Sequence, residues 1–302
     1  MLLNRLLFIL GTWIISQTLT GQTRLVLLGT GTPNPDPEHS GCSIAVLVNN
    51  QAYIVDCGPG LVRQAARMSP AYGGRFEALS AKNLRVLFLT HLHSDHTAGL
   101  PDLMLTPWVM GRSNPLQVIG PPRTKNLVRH LSKAYSTDIR YRINGGEPSN
   151  KTGWRTLVNE IKNEGEVYRD SLVKVEAFKV LHGTMQGSFG YRFTTHDRVI
   201  VISGDTRPCG NLISYAMNCD VLVHEAYSYA RWIKRTPDWQ DYHKAHHTSG
   251  LELGELAAKA NPGQLVVYHL LLWGATEKEL LDEIGEKFKG KVQIGRDLMV
   301  IE

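Results

Sequence analysis

The densest group of chemically reactive side chains in the sequence lies in the run His91–His96 (HLHSDH). It directly follows the apolar run Leu84–Thr90, which predicts a strand covered on both faces. Ligands of α/β sheets usually bind at the carboxyl ends of strands. Because side chains two positions apart in an extended chain point the same way, His91 and His93 can share one ion. Imidazoles and carboxylates are costly to bury without a cation and are ligands that zinc accepts, so the run predicts a metal site.

Short strands interleaved with helices must position this site. Strands are predicted at Arg24–Leu28, Ser43–Val48, Ala52–Val55, Leu84–Thr90, Leu116–Ile119, Leu172–Val180, Gly190–Thr194, Arg198–Ser203, Val221–Val223, Leu265–Tyr268 and Lys291–Ile294. Helices are predicted at Leu61–Met68, Thr124–Tyr135, Asn211–Met217, Ser249–Ala260 and Thr276–Lys287. This interleaving indicates an α/β fold with a mixed sheet. The segment Asn144–Glu166, whose charges alternate in sign, is predicted to be a solvated connector and not a basic clamp for a polynucleotide.

The overall composition is that of an ordinary globular protein. Hydrophobic residues make up 42% and charged residues 20% of the 302 residues, which excludes a disordered chain and a coiled coil. The formal net charge is +5 and the basic residues are scattered, whereas dedicated nucleic-acid binders usually concentrate them. A phosphate- or sulfate-bearing substrate is therefore left open without being argued for. None of the four cysteines stands in a CxxC spacing, so a thiolate metal cluster is not expected.

The first residues have the three-part pattern of a secretory signal peptide. A positive charge in Met1–Arg5 precedes the apolar run Leu6–Ile15, and small and polar residues follow in Ser16–Gln22. The apolar run is shorter than the roughly twenty residues that span a bilayer. A buried first strand or helix is the alternative. We expect residues 1–21 to be a signal peptide, the protein to be secreted or periplasmic, and no stable membrane association after cleavage.

The run His91–His96 resembles the HxHxDH signature of the metallo-β-lactamase superfamily, whose fold is a four-layer αββα sandwich with a site for one or two metals. The resemblance extends over nearly all of residues 22–302, which we take as one hydrolase domain. It implies two Zn2+ ions per chain, with Mn2+ or Fe2+ as substitutes. The implied ligands of the first metal are His91, His93, His182 and Asp205. The implied ligands of the second are Asp95, His96, His269 and Asp205.

Two further motifs resemble one branch of that superfamily, the branch that contains ribonuclease Z and the zinc-dependent arylsulfatases. They are the run His224–Ala226 (HEA) and the run His247–Ser249 (HTS). The resemblance implies that His247 is a general acid at the leaving group and that Glu225 orients it, a carboxylate–imidazole pairing with clear physical sense. Asp95 is expected to take part in catalysis as well as in metal binding.

Three functions are compatible with these motifs. The favoured one is hydrolysis of small sulfate or phosphate esters, because Leu28–Pro35 and His96–Pro101 look like arylsulfatase-type members and Asn144–Glu166 lacks the composition of the tRNA-gripping arm of ribonuclease Z. On this interpretation the partner is a small-molecule ester, nucleic acid is not a partner, and a homodimer stays open. The first alternative is a ribonuclease Z-type endonuclease that processes tRNA 3′ ends. The second is a metal-binding protein without catalysis.

Side chains for substrate contact are also expected near the mouth of the site. The aromatic candidates are Trp108, Tyr227, Tyr229 and Trp232. The candidates for anion contact are Arg112, Arg207 and Arg231.

Overall fold

The computed structural model describes residues 22–302. The strands in this range are β1 (Arg24–Gly29), β2 (Ser43–Val48), β3 (Gln51–Val55), β4 (Val86–Phe88), β5 (Leu116–Gly120), β6 (Thr156–Glu160), β7 (Gly165–Arg169), β8 (Lys174–Lys179), β9 (Phe189–Thr194), β10 (Val199–Ile202), β11 (Val221–Tyr227), β12 (Gln264–Leu271), β13 (Val292–Ile294) and β14 (Val300–Ile301). The α-helices are α1 (Leu61–Arg67), α2 (Ser94–Thr97), α3 (Leu100–Val109), α4 (Thr124–Ala134), α5 (Ser136–Asn144), α6 (Gly210–Ala216), α7 (Tyr229–Trp232), α8 (Pro237–His246), α9 (Gly250–Ala260) and α10 (Glu277–Gly285).

Two mixed sheets form the middle of the fold. The strand order is β14-β1-β2-β3-β4-β5-β6 in the first sheet and β13-β12-β11-β10-β9-β8-β7 in the second. Their inner faces bury a shared apolar core in which Phe88 of β4 meets Tyr191 and Phe193 of β9 edge-to-face, at ring distances of 5.4 and 5.3 Å. The second sheet is parallel around β10, β11 and β12, as the continuous apolar runs of these strands favour.

Helices cover the outer face of each sheet. On the first sheet, α1, α3 and α4 bury apolar side chains such as Leu61, Leu103 and Val128 against the strands. On the second sheet, α6, α9 and α10 do the same with side chains such as Leu212 and Ile284. Helix, sheet, sheet and helix therefore form four layers, and the predicted metallo-β-lactamase αββα fold is confirmed.

The segment Asn144–Glu166 is only partly the solvated connector that its charges predict. It contains β6, which pairs in parallel with β5 at the edge of the first sheet. It then begins β7, which pairs with β8 at the edge of the second sheet. Edge strands commonly carry charged side chains, and for this reason the sequences of β6 and β7 resemble that of a loop. The segment thus carries the chain from one sheet to the other.

The predicted signal peptide at residues 1–21 lies outside the described residues, so its prediction stays open. In the part of the chain that the structure describes, no helix is both long and apolar enough to cross a bilayer. All four cysteines have free thiols.

The candidate site residues lie at or near the carboxyl ends of their strands, at the same end of the two sheets. The run His91–His96 comes shortly after β4, and His182 comes after β8. Asp205 follows β10, while Glu225 and His269 lie within β11 and β12. Both sheets therefore contribute to one site, at the position where α/β folds place their ligands.

Candidate metal centre

The structure brings all seven predicted ligands together. We call this set the ligand cluster: His91, His93, Asp95, His96, His182, Asp205 and His269. One part of it consists of three imidazoles, in which His93 Nδ1 lies 3.0 Å from His91 Nε2 and 3.2 Å from His182 Nε2. Three nitrogens that converge at this distance are arranged to bind one cation.

A second part of the ligand cluster faces the first. His269 Nε2 lies 3.2 Å from Asp95 Oδ2, and His96 Nε2 lies 3.4 Å from the same oxygen. Asp205 lies between the two parts, with Oδ1 3.5 Å from His96 Nε2 and Oδ2 3.6 Å from His269 Nε2. Asp205 also groups with His91 and His182, so its carboxylate can serve both parts.

The chemistry of this donor set fits metal ions. Three buried polar atoms of the ligand cluster have no hydrogen-bond partner within residues 22–302: His96 Nε2, Asp205 Oδ1 and His269 Nδ1. The first two of these face the centre of the cluster. Such orphaned atoms are costly unless a ligand satisfies them. Burial lowers the pKa of His182 to about 4 and that of His91 well below its ordinary value, which keeps both imidazoles neutral. Neutral imidazole is the form that binds zinc.

A further polar group outside the ligand cluster holds it in place. Asp56, which follows β3, accepts hydrogen bonds from the backbone N–H and hydroxyl of Thr90, each at 2.8 Å. Its Oδ2 also lies 2.8 Å from Nδ1 of His96, leaving Nε2 of that ring directed at the site. Carboxylates in this position fix the orientation of metal-binding histidines. The sequence analysis missed Asp56, although an acidic residue at the end of a strand beside the motif was a usable signal.

The backbone of β12 is irregular where His269 enters the site. Glu225 pairs with Tyr268 but Ala226 pairs with Leu270, so His269 is an extra residue in a β-bulge. Its φ of 48° lies in the left-handed region, which non-glycine residues rarely occupy. The bulge turns the imidazole towards Asp95 and Asp205.

His247 and Glu225 lie beside the ligand cluster, but their contact is looser than the motif predicts. His247 Nδ1 lies 3.4 Å from Glu225 Oε1 and has no hydrogen-bond partner among the described residues. Glu225 Oε1 instead accepts from the backbone N–H of Thr248, at 3.0 Å, and of Thr206, at 3.3 Å. Because these threonines follow His247 and Asp205, Glu225 anchors the two loops that carry them.

Electrostatics at this pair follow from burial. Burial raises the pKa of Glu225 well above its ordinary value, and the nearby Asp205 carboxylate adds to that rise. Burial also lowers the pKa of His247 to about 4. His247 nevertheless lines the cavity in front of the ligand cluster, so its imidazole is accessible to a substrate.

The mouth of the site is formed mainly by side chains that the sequence analysis did not select. A cavity of about 530 Å³ opens in front of the ligand cluster. Besides ligand-cluster residues and His247, its lining includes a set that we call the aromatic rim: Arg235, Trp239, Tyr242 and Trp273. Trp239 and Tyr242 are carried by α8, a helix without a clear apolar stripe in the sequence.

None of the seven aromatic and basic residues predicted for the mouth lines this cavity, and five of them have other roles among the described residues. Trp108 and Tyr227 are buried, with 1% of each exposed. Trp232 donates through its indole N–H to the Gln240 carbonyl at 2.9 Å. Arg112 is buried and donates to four backbone carbonyls, so it is a structural cation and not an anion contact. Arg231 forms an ion pair with Glu279 at 3.2 Å.

Two sheets with flanking helices, and a cluster of potential metal ligands at the strand ends, define a hydrolase of the metallo-β-lactamase type. A family model described as the beta-lactamase superfamily domain matches residues 51–270. The chain therefore belongs to the β-lactamase superfamily.

Relatives of 32–34% identity narrow this assignment, and solved structures of lower identity match the fold. The chain is 32% identical over 287 residues to a protein named ribonuclease Z from Mycobacterium bovis BCG, covering 92% of this chain and 97% of the relative. It is 34% identical over 283 residues to a ribonuclease Z of Mycolicibacterium paratuberculosis, covering 91% and 96%. Its fold matches that of the short form of human tRNase Z with a TM-score of 0.67 at 20% identity, covering 92% and 98% of the two chains. It also matches the metallo-beta-lactamase fold protein YhfI of Bacillus subtilis, with a TM-score of 0.70 at 19% identity, covering 92% and 98%.

These relatives overturn two predictions. The preference for small sulfate or phosphate esters is wrong, because the relatives that match over nearly the whole chain are ribonucleases by name. The exclusion of nucleic acid as a partner is wrong for the same reason. The exclusion depended on the scattered basic residues, on the predicted signal peptide and on the composition of Asn144–Glu166. Part of that segment forms sheet edges, so its composition is no guide to a substrate clamp.

Proposed function

We propose that this chain is a metal-dependent endoribonuclease of the ribonuclease Z type that acts on tRNA. The observation that carries the proposal is its similarity, over 92% of its length, to proteins named ribonuclease Z. The site supports it, because a cluster of nitrogen and oxygen ligands stands beside an imidazole in one cavity. Phosphodiester hydrolysis needs such an arrangement: groups that bind the phosphate and a donor for the leaving oxygen.

The ligand cluster would hold two metal ions, which we propose to be zinc. His91, His93 and His182 would hold one, Asp95, His96 and His269 the other, and Asp205 would contact both. When bound, such ions polarise phosphate oxygens and lower the pKa of water.

The chain's own residues supply the remaining functions. In the hydrolysis, a water oxygen forms a bond to phosphorus and gives up a proton to the solvent, the bond from phosphorus to the leaving ribose oxygen breaks, and that oxygen takes up a proton. His247 lines the cavity and would donate this proton, since an anionic phosphate bound beside it would favour the protonated imidazole that burial alone disfavours. Asp95 also lines the cavity and would accept a hydrogen bond from the attacking water. Glu225 acts through the backbone of Thr206 and Thr248, so we propose it as a positioning residue.

Cleavage of a tRNA that carries a 3′ extension tests the proposal. We expect the purified chain, supplied with zinc, to convert it into two fragments with one defined end. A chelator should stop the reaction and added zinc should restore it. Failure to cleave any RNA by protein that contains about two metal equivalents would refute the proposal.

The export prediction bears on where such a reaction would take place. We keep as a proposal that residues 1–21 are removed and that the protein leaves the cytoplasm. N-terminal sequencing of the protein from its own host tests this. A retained Met1 would refute it.

A further inference from the structure

We propose that the aromatic rim is a nucleotide subsite: Trp239 and Tyr242 pack against one unpaired base beside the scissile phosphate, and Arg235 binds a neighbouring phosphate. This inference depends on the proposed function and extends it to the means of substrate binding. It concerns a surface made by α8 and the residues on either side, outside the ligand cluster.

The position of the aromatic rim argues for contact with the substrate. Its side chains line the same cavity as His93, Asp205 and His247. A phosphate bound at the ligand cluster would therefore bring its flanking nucleotide against α8. Single-stranded nucleic acids are commonly bound by aromatic side chains, because every base presents an apolar ring to pack against.

The exposure of the two aromatic rings is unusual for packing residues. Trp239 is 50% exposed and Tyr242 is 39% exposed, although both border a cavity. Their rings stand nearly perpendicular, at 84° and 5.6 Å between centroids. Each is supported by a histidine, since Trp239 stacks on His243 and Tyr242 stacks on His246. The two rings thus form a supported corner with large accessible surfaces, as a base-binding site requires.

Arg235 adds a positive charge to this corner. Its guanidinium lies 5.3 Å from the centre of the Trp239 ring and 4.6 Å from that of Trp273. Arg235 also lines the cavity in front of the ligand cluster. An arginine held against aromatic rings at a cavity wall is well suited to bind a phosphate oxygen.

The start of α8 is held rigidly, which keeps the corner in place. The Gln240 side chain donates to the Ile233 carbonyl at 3.1 Å and to the Arg235 carbonyl at 2.8 Å. The Trp232 indole donates to the Gln240 carbonyl at 2.9 Å. A subsite that is already formed loses less entropy when the substrate binds.

Cleavage kinetics with abasic substrates test the base contact. In a 3′-extended tRNA, each of the two nucleotides on either side of the cleavage position is replaced in turn by an abasic one. For the wild-type chain, one of these replacements should raise KM about tenfold, the scale of one base–aromatic contact. Trp239→Ala should raise KM for the intact substrate by a similar factor and remove the difference between intact and abasic RNA. Trp239→Phe should restore most of the affinity.

Binding without catalysis gives a second readout. With chelator-treated protein, a single-stranded RNA oligonucleotide should quench tryptophan fluorescence, and Trp239→Phe should remove most of that quenching. Arg235→Gln should reduce the slope of log affinity against log salt concentration by about 0.7, the value for one phosphate contact on a single strand. Tyr72→Ala, at a ring that is 73% exposed outside this cavity, is the matched control and should change neither readout.

The outcomes separate this inference from the proposed function. If the wild-type chain cleaves RNA but Trp239→Ala and the abasic replacements act independently, the subsite is refuted and the function stands. If no RNA is cleaved, the proposed function fails, and the absence of quenching by RNA refutes the subsite as well. If Trp239→Ala changed the cleavage of small aryl phosphodiesters but not the cleavage of RNA, the inference would also be overturned.

Discussion

The ligand cluster and the aromatic rim share one cavity but are built in opposite ways. Ligand-cluster residues such as His91 and Asp205 are buried, come from strand ends of both sheets, and are held by further polar groups. The aromatic rim comes largely from one surface helix, and its rings are exposed. The ligand cluster is thus built by the two sheets, whereas the aromatic rim is carried by a surface helix. The two are joined where α8 ends, because Nδ1 of His182 lies 2.8 Å from the carbonyl oxygen of His246.

If this division holds, the substitution with the largest effect on the rate of RNA cleavage lies at the centre of the ligand cluster. Asp205→Ala removes the carboxylate that reaches both parts of the cluster, so we expect the rate of RNA cleavage to fall by about 10³-fold or more. Rate measurements and elemental analysis of bound metal check this. His130→Ala, on the exposed face of α4, is the control and should keep both values. If Asp205→Ala retained its activity, the ligand cluster would not be part of the reaction.

The next largest loss of cleavage rate is expected on substitution of His247, and it distinguishes proton donation from substrate binding. His247→Ala should slow cleavage of RNA by about 10²–10⁴-fold, because the ribose oxygen is a poor leaving group that needs a proton. Bis(4-nitrophenyl) phosphate has an activated leaving group and should lose much less. Parallel rate measurements on both substrates test this. Equal losses would place His247 with the aromatic rim as a binding residue.

A smaller effect is expected from the group behind the ligand cluster. In Asp56→Asn, one oxygen that accepts hydrogen bonds is replaced by a donor, so Thr90 and His96 can no longer both be satisfied. Metal affinity should fall about 10–100-fold, the usual result of losing such a carboxylate. A competition titration with a chromophoric chelator measures it. Unchanged affinity would show that His96 needs no support from Asp56.

The smallest effect is expected on substitution of Asp170, which lies outside the cavity. This substitution should change the stability of the fold and not the cleavage of RNA. Asp170 accepts hydrogen bonds from the Tyr53 and Tyr168 hydroxyls and from two backbone N–H groups, and together these outweigh burial and lower its pKa. Asp170→Asn should lower the free energy of unfolding by about 1 kcal/mol at pH 7. A depressed carboxyl pKa stabilises the fold above the unfolded pKa, so the difference should shrink as the pH falls below about 4.

Urea titrations of both proteins at pH 7 and pH 3.5 measure this difference. A gap that widens at low pH would contradict the assignment. Cleavage of RNA at pH 7 should be unchanged, because Asp170 lies outside the cavity.

The sequence predicted the ligand cluster well and the aromatic rim poorly, for physical reasons. The spacing of His91, His93, Asp95 and His96 encodes a local geometry that a strand end and the following turn produce by themselves. The aromatic rim has no such local signature. Trp239 and Trp273 come together against Arg235 only in the folded chain. Nothing in their spacing distinguishes them from Trp108, which is buried.

The same reasoning explains which strands were found. The strands β2, β8 and β12 are rich in apolar residues, so their sequences predict strands. Their predicted positions are confirmed to within a few residues. The strands β6 and β7 lie at sheet edges and are half-buried and charged, so their pattern resembles that of a loop.

The bulge at His269 has a consequence for how this family can change. A left-handed backbone costs a residue with a β-carbon about 1–2 kcal/mol, so the fold tolerates a locally unfavourable conformation to direct one imidazole. Glycine at this position would relieve that cost, but it would also remove a buried imidazole and its contacts with Asp95 and Asp205. A relative with glycine there and the other ligands intact would have an incomplete metal centre. Position 269 is thus a place where the backbone conformation that suits glycine and the side chain that the site needs are in conflict.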